Sequence, residues 1–169
     1  MYAVTLMIKS FFDKNEWKYD LKQDEDRKID VLNTGFTLSN ESVSMRVIVY
    51  RENDIYQVAA TSDSTVPLSS INGGLRAINE FNGLSRAVGG YLDPDKGDIV
   101  FFKGTNTDGL TFSEEAFCAD MELVMRVTDQ ETAQIIKKAI KYEPFKGEIV
   151  ITPAEPPKKR NFFSRLFGK

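Results

Sequence analysis

The chain has 169 residues, of which 22 are Lys or Arg and 25 are Asp or Glu, giving a net charge of −3, with one cysteine and no histidine. This length predicts one domain followed by a tail, and the single cysteine excludes an internal disulfide. Since histidine is the commonest general base and metal ligand, its absence excludes Ser–His and Cys–His catalysis within the chain.

The N-terminal third of the chain predicts one helix and then several strands. Apolar residues at helical spacing are typical of an amphipathic helix, and they are Val4, Met7, Ile8, Phe11 and Phe12. Alternating or β-branched apolar residues predict strands at 17–21, 29–38, 45–50 and 55–60. The connections between these strands are far too short for parallel crossovers, so we expect antiparallel hairpins.

Residues 67–83 predict a central helix. Three residues are competing start signals for it, namely Pro67, Ser69 and Ser70. Gly83 occupies the position where a glycine commonly ends a helix. Gly73 and Gly74 each cost roughly 1 kcal/mol relative to alanine inside a helix, and a helix keeps such glycines more easily where something approaches its backbone closely. One hypothesis is a homodimer whose contact residues are Ile71, Gly74, Leu75 and Ile78. The alternative is a helix that begins only after Gly74.

The remaining elements are a hairpin and a long helical segment. Strands at 86–92 and 98–103 flank a turn that contains Pro94 and ends at Gly97. Ser113 caps the following helix. Asp129 has the chemistry of a second helix cap, which predicts two helices or one helix that bends there. Three or four strands thus precede the central helix, and one or two helices follow the hairpin. Taken as α-β-β-β-α-β-β-α, with about five strands in an antiparallel sheet and segregated helices, this order is typical of an α+β domain.

We therefore expect an α+β domain at 1–143, a Pro-rich linker at 144–157 and a tail at 158–169. This succession of elements resembles the YbjN-type bacterial proteins, whose fold is that of the type III secretion chaperones. The residues that carry the resemblance are Trp17, Pro67, Asn79, Asn82, Gly90, Tyr91, Leu92, Asp93, residues 97–101, Gly109, Ser113 and Asp129. The resemblance covers roughly residues 1–142. It implies a non-catalytic, acidic dimer that holds segments of other proteins; the tail is not part of the family pattern.

The chain offers no convincing cofactor or metal site. Cys118 lies between Phe117 and Ala119, where a small packed residue is the simpler interpretation than a nucleophile. Asp93 and Asp95 resemble the opening of a calcium loop, but Gly104 stands where that loop needs a glutamate. We therefore predict no cofactor, no metal and no enzymatic activity. An enzyme that uses only carboxylates and lysines would need a deep pocket in which acids with raised pKa values converge.

The tail differs in charge from the rest of the chain. No acidic residue follows Glu155 and five basic residues do, so residues 1–157 hold 17 bases against 25 acids. An acidic body argues against a nucleic-acid partner. The tail's apolar residues would share one narrow face of a short helix, and basic residues flank that face. The apolar residues are Phe162, Phe163, Leu166 and Phe167, and the basic residues are Lys158, Lys159, Arg160 and Arg165.

This tail pattern predicts an interfacial anchor on an anionic membrane surface, and it resembles the C-terminal membrane-targeting helix of the division-site-selection ATPases. Two other interpretations stay open. In the first, the tail binds a protein partner; in the second, it folds back on its own domain or is a disordered end.

Residues 1–12 lack the cleavage site of a signal peptide, and no apolar run approaches the roughly 20 residues that span a bilayer. We therefore expect a cytoplasmic protein, peripheral at the inner face of the membrane if the tail binds lipid.

These observations lead to two competing functions. The first is a non-enzymatic, chaperone- or adaptor-like module that binds a protein partner and forms a homodimer. The second is a membrane-peripheral regulatory protein anchored by its tail. A sheet edge could accept a partner strand, or a groove a partner helix.

Overall fold

The computed structural model describes residues 2–53, 55–107 and 112–142, which form an antiparallel sheet and the helices that cover it. The helices are α1 (Ala3–Lys14), α2 (Ile71–Leu84) and α3 (Glu114–Lys141). The strands are β1 (Asp20–Asp24), β2 (Ile29–Thr37), β3 (Ser42–Tyr50), β4 (Ile55–Thr65), β5 (Gly89–Leu92) and β6 (Asp98–Asn106). A short 3-10 turn at Leu68–Ser70 leads into α2. The predicted α+β class is confirmed.

The strands lie in the order β1-β2-β3-β4-β6-β5, and all neighbouring strands are antiparallel. The sheet thus has six strands rather than about five, because four strands precede α2. Two short strands form its edges. The edge strand β1 has the sequence DLKQD, whose charges disfavour pairing with a strand from another molecule.

Every second side chain along the strands points into the hydrophobic core. In β3 the buried residues are Val43, Met45, Val47 and Val49, and the residues between them point away from the core. Side chains from all three helices complete one apolar cluster with these strand residues. The predicted stripe of α1 needs one correction, because Met7 is exposed and Thr5 is buried instead. Thr5 can be buried because its hydroxyl donates to Asp30 at 2.6 Å.

Helix α2 begins at Ile71, so the alternative start after Gly74 is wrong. A side chain at Gly73 would collide with the carbonyl oxygen of Ala139 in α3, and one at Gly74 would lie 2.7 Å from Leu92 Cδ2 in β5. The close approach that these glycines allow is therefore made within the chain. Gly83 does not end the helix, which continues through Leu84 to a C-cap at Ser85.

Helix α3 is continuous over 28 residues, so of the two alternatives the prediction of two separate helices is wrong. Ser113 caps it as predicted, accepting a hydrogen bond from the backbone N–H of Ala116 at 3.1 Å. Asp129 has a different role from a helix cap. Its carboxylate accepts hydrogen bonds from the backbone N–H groups of Asn40 at 2.7 Å and Glu41 at 3.2 Å, and from the Asn40 amide. It therefore ties α3 to the connection between β2 and β3.

Candidate binding surface on the uncovered face of the sheet

All three helices pack against the same face of the sheet. Thr5 of α1 bonds to Asp30 in β2, and Asp120 of α3 accepts from Tyr56 in β4. Phe81 of α2 packs edge-on against Phe101 in β6, with ring centroids 5.1 Å apart. The register places the strand partners in these contacts on one side of the sheet. The opposite side, which we call the uncovered face, therefore has no helix packed on it among the described residues.

The side chains of the uncovered face follow from strand alternation and register. Val31 in β2 pairs with Ile48 in β3, and Ala59 in β4 pairs with Phe102 in β6. Val100 pairs with Tyr91 at the β5 edge, where Tyr91 is about half exposed. These six residues lie across five strands and are only partly buried or exposed. They give the uncovered face an apolar centre, unlike the usual alternation in which the solvent side of a sheet is polar.

Arg46 lies in the middle of this apolar centre. It pairs with Asn33 on one side and with Ala59 on the other, and its side chain is exposed. None of the ion pairs between described residues involves Arg46. A guanidinium has five N–H donors and matches a carboxylate in a two-bond contact. Arg46 therefore presents a guanidinium that forms no ion pair with a described residue, next to apolar Ile48 and Ala59 and to polar Asn33 and Ser44.

Two shallow depressions share the uncovered face. One, of about 590 Å³, extends from Arg46 to Asp93 in the acidic turn between β5 and β6 and to Asp98 at the start of β6. The other, of about 660 Å³, extends from Arg46 towards β1. Both are broad and open, which suits a protein surface better than an enclosed small molecule. The arrangement therefore favours docking of a macromolecule.

The acidic turn is held by hydrogen bonds of its own. The carboxylate of Asp93 accepts hydrogen bonds from the backbone N–H groups of Asp95 at 2.9 Å and Lys96 at 3.2 Å. Gly97 has a φ of +78°, and a side chain there would collide with the carbonyl oxygen of Val66. This confirms the turn and explains its residues without a calcium ion.

A buried polar cluster at Asp120 is another concentration of titratable groups, and sequence reasoning missed it. The Asp120 carboxylate accepts from the hydroxyls of Tyr56 at 2.7 Å and Thr105 at 2.6 Å, and it forms an ion pair with Lys103. Burial alone would raise the pKa of Asp120, but hydrogen bonds from Lys103, Thr105 and Tyr56 together lower it. Burial, together with the bond to Asp120, raises the pKa of Tyr56. Near neutral pH the acid thus stays ionised and the phenol stays protonated, which suits a structural cluster.

The second buried carboxylate, Asp30, is also occupied by protein donors. The Asp30 carboxylate accepts hydrogen bonds from the Thr5 hydroxyl and, at 3.1 Å, from the Gln23 side-chain amide. It also lies 3.4 Å from Arg51 Nε.

Cys118 is unsuited to nucleophilic chemistry, because partial burial and the nearby Glu122 raise the pKa of its thiol. No group of three or more potential metal-ligating side chains occurs among residues 2–53, 55–107 and 112–142.

The residues predicted for a dimer face on α2 do not share one surface. Gly74 and Ile78 are buried within the protomer, Ile71 is partly buried, and Leu75 is exposed by 37%. Two of the four residues thus belong to the core, because α2 packs on both α3 and β5.

The predicted tail residues lie outside the described part of the chain. In the part that is described, no helix is long and apolar enough to cross a membrane.

Comparison with known proteins shows the fold alone. No protein-family model and no curated protein matches the sequence. A solved structure of an uncharacterized protein from Methanothermobacter thermautotrophicus matches 78% of this chain and 95% of its own, with 13% identity and a TM-score of 0.56. YbjN from E. coli, a suggested transcription regulator, matches 78% of this chain and 87% of its own, with 13% identity and a TM-score of 0.51. The chain therefore has a YbjN-like fold, as the sequence resemblance predicted.

Proposed function

We propose that this protein is a non-enzymatic, chaperone- or adaptor-like module that binds a protein surface on the uncovered face of its sheet. The observation that carries the proposal is the apolar centre around Arg46 on a face that no described helix covers. The two carboxylates that are buried in the described part of the chain, Asp30 and Asp120, are held by donors of the protein itself, which argues against a role for either in acid–base chemistry.

The chemistry of the uncovered face defines the partner surface that fits it. Interface centres are enriched in aromatic residues and arginine, and a few such residues supply most of the binding energy. Tyr91, Phe102 and Arg46 are residues of this kind. The partner surface must be apolar opposite Ile48 and Phe102, and it must bring a carboxylate to Arg46, because a desolvated guanidinium without a partner is costly.

Site-specific photo-crosslinking tests this proposal. The photoreactive residue p-benzoylphenylalanine replaces Gln57, which lies on the uncovered face between Ile48 and Gly104. We expect a covalent adduct with a protein after irradiation of cells that produce this variant. The matched control carries the same residue at Gln130, an exposed position of α3. Irradiation without an adduct at Gln57, or with identical adducts at both positions, would refute the proposal.

We propose membrane attachment as a second candidate function, supported by the sequence of the tail. Each basic residue near an anionic bilayer contributes about 1 kcal/mol, and buried aromatic and aliphatic side chains add to this. Ordering the tail costs on the order of 1–2 kcal/mol per residue, so one tail binds weakly and reversibly. We expect the full chain to co-sediment with vesicles that contain anionic phosphatidylserine, and residues 1–157 to stay in the supernatant.

Vesicles of uncharged phosphatidylcholine are the control for the tail. Binding to them should be weak, because the basic residues then have no anionic surface to meet. Equal co-sedimentation of the full chain and of residues 1–157 would show that the tail is not an anchor.

A further inference from the structure

The two edge strands of the sheet differ in charge. The edge strand β1 has the sequence DLKQD, in which charged residues alternate with uncharged ones. At the opposite edge, β5 and the two residues before it read AVGGYL, at positions 87–92, and this run contains neither a charged residue nor a proline. Charges and proline are the usual means by which an edge strand avoids pairing with a strand of another molecule. The sequence of β5 therefore does not protect its own edge.

The outward-facing backbone groups of the β5 edge follow from the pairing of β5 with β6. The backbone N–H of Asp93 donates to the carbonyl oxygen of Asp98 at 2.9 Å, so residue 93 faces β6. Successive residues of an antiparallel strand direct their N–H and C=O groups to alternate sides. Val88 and Gly90 therefore direct these groups away from β6, to the side on which another strand could be added.

Two side chains at the C-terminal end of α2 bond to these outward groups. The Asn82 amide donates to the carbonyl oxygen of Gly90 at 2.9 Å, and the Asn82 side-chain oxygen accepts from the Gly90 N–H at 2.7 Å. The Ser85 hydroxyl donates to the carbonyl oxygen of Val88 at 2.7 Å and accepts from the Val88 N–H at 3.4 Å. A neighbouring strand would offer each residue the same pair of one donor and one acceptor. The end of α2 thus occupies the place of a strand.

The glycine at position 90 allows α2 to come this close. A Cβ at Gly90 would lie 3.1 Å from Phe81 Cδ1 and 3.2 Å from Ile78 Cδ1. Both side chains belong to the helical turns that carry Asn82 towards the edge. A larger residue at position 90 would press on them, because little free space surrounds packed side chains.

We infer that Asn82 and Ser85 block strand addition at the β5 edge, because they give Gly90 and Val88 the hydrogen bonds that an extended segment of another chain would otherwise supply. The inference goes beyond the proposed function, since it concerns the edge of the sheet and not its uncovered face. The two edges are then protected in different ways, β1 by charge and β5 by side chains of a helix. Adding a partner strand at β5 requires the end of α2 to move away first.

Substitutions in the full chain test the block. In Asn82→Ala/Ser85→Ala the outward groups of Gly90 and Val88 lose these partners. We expect the Gly90 amide hydrogen to exchange with solvent at least about tenfold faster than in the wild type, as measured by NMR. In sedimentation velocity we expect the double variant to form assemblies larger than any that the wild type forms, increasingly so at higher concentration. Asn79→Ala, at an exposed position of the same helix, should match the wild type in both measurements.

Asn82→Asp separates an opened edge from a mere loss of stability. The aspartate keeps an acceptor for the Gly90 N–H, but it places a carboxylate against the Gly90 carbonyl oxygen, so the variant should unfold at a lower temperature than the wild type. It also adds a negative charge to the edge, which opposes strand pairing. We therefore expect a less stable protein without larger assemblies. If circular dichroism shows that the double variant is unfolded, Asn82→Ala alone carries the same two measurements.

Four results would overturn the inference. They are slow exchange of the Gly90 amide in the double variant, fast exchange without larger assemblies, equal assembly of Asn82→Asp and the double variant, and assembly of Asn79→Ala. None of them depends on the photo-crosslinking at Gln57, so the proposed function is tested separately.

Discussion

Replacing Asp120 by alanine is expected to lower the free energy of unfolding by about 3 kcal/mol. The substitution leaves the hydroxyl of buried Tyr56 and the ammonium of Lys103 without their acceptor. Removing one member of a buried ion pair costs about 3–5 kcal/mol, and the lower value applies because Lys103 is partly exposed. Since whole domains are stable by about 5–15 kcal/mol, a shift of this size is readily measured by urea unfolding at constant pH.

Tyr56→Phe is the matched control for Asp120→Ala. It removes one hydroxyl and leaves Asp120 with Lys103 and Thr105, so we expect a loss of only about 1 kcal/mol. Equal stabilities of Asp120→Ala and the wild type would show that the cluster contributes nothing to the fold.

The same cluster also predicts part of the pH dependence of stability. The pKa of Asp120 is lower in the folded protein than its ordinary value of 3.8, because the hydrogen bonds to its carboxylate outweigh the effect of burial. Its contribution is therefore fully present above that ordinary value and is lost as the pH falls through the lower folded pKa. In Asp120→Asn this contribution is missing. We expect the stability difference between the wild type and this variant to shrink on acidification; a difference independent of pH would contradict the assignment.

Replacing Gly73 by alanine is expected to destabilise the protein by about 1–2 kcal/mol. The new methyl group would collide with the backbone carbonyl of Ala139 and lie 3.0 Å from Tyr142 Cβ. A backbone atom cannot move aside as a flexible side chain can, so α2 and α3 must separate. Overpacking of this kind costs about 1–3 kcal/mol or more, against a gain of about 1 kcal/mol from the higher helix propensity of alanine.

Gly83→Ala provides the control for this substitution within the same helix. Nothing lies within 4 Å of a Cβ placed at Gly83, so only the propensity gain acts there. We expect Gly83→Ala to raise the thermal unfolding temperature and Gly73→Ala to lower it. If both substitutions changed stability with the same sign, close packing between α2 and α3 would not be the reason for the glycine at position 73.

Much of the fold could be predicted from short-range patterns. The β-branched residues at 45–50 indicate a strand, and the structure has one at Ser42–Tyr50. Asp93 and Gly97 indicate the turn between β5 and β6, because an aspartate side chain and a glycine with positive φ are what such a turn requires. Ser113 indicates the start of α3 in the same way. These signals act over a few residues, so they can be read from the sequence.

The candidate site could be predicted less well, because its residues are brought together by strand register. Arg46 and Asp98 are far apart along the chain and show no motif, yet they line one depression. Asp129 has the local sequence of a helix cap, and only its contact with Asn40, 89 positions away, reveals its role. Gly73 and Gly74 predicted a close approach correctly in kind, but the approaching atoms belong to this chain rather than to a second copy.

The sequence by itself determined the class and the kinds of element, since periodicity, caps and turn residues are local properties, but it did not fix the number of strands or of C-terminal helices. Only the tertiary structure decided that all three helices cover the same face of the sheet, which leaves an apolar surface around Arg46 on the other. It also decided that Asp120 meets Tyr56, 64 positions away, in a buried cluster. The physical reason is that packing and burial depend on residues distant in sequence, whose meeting no local pattern encodes.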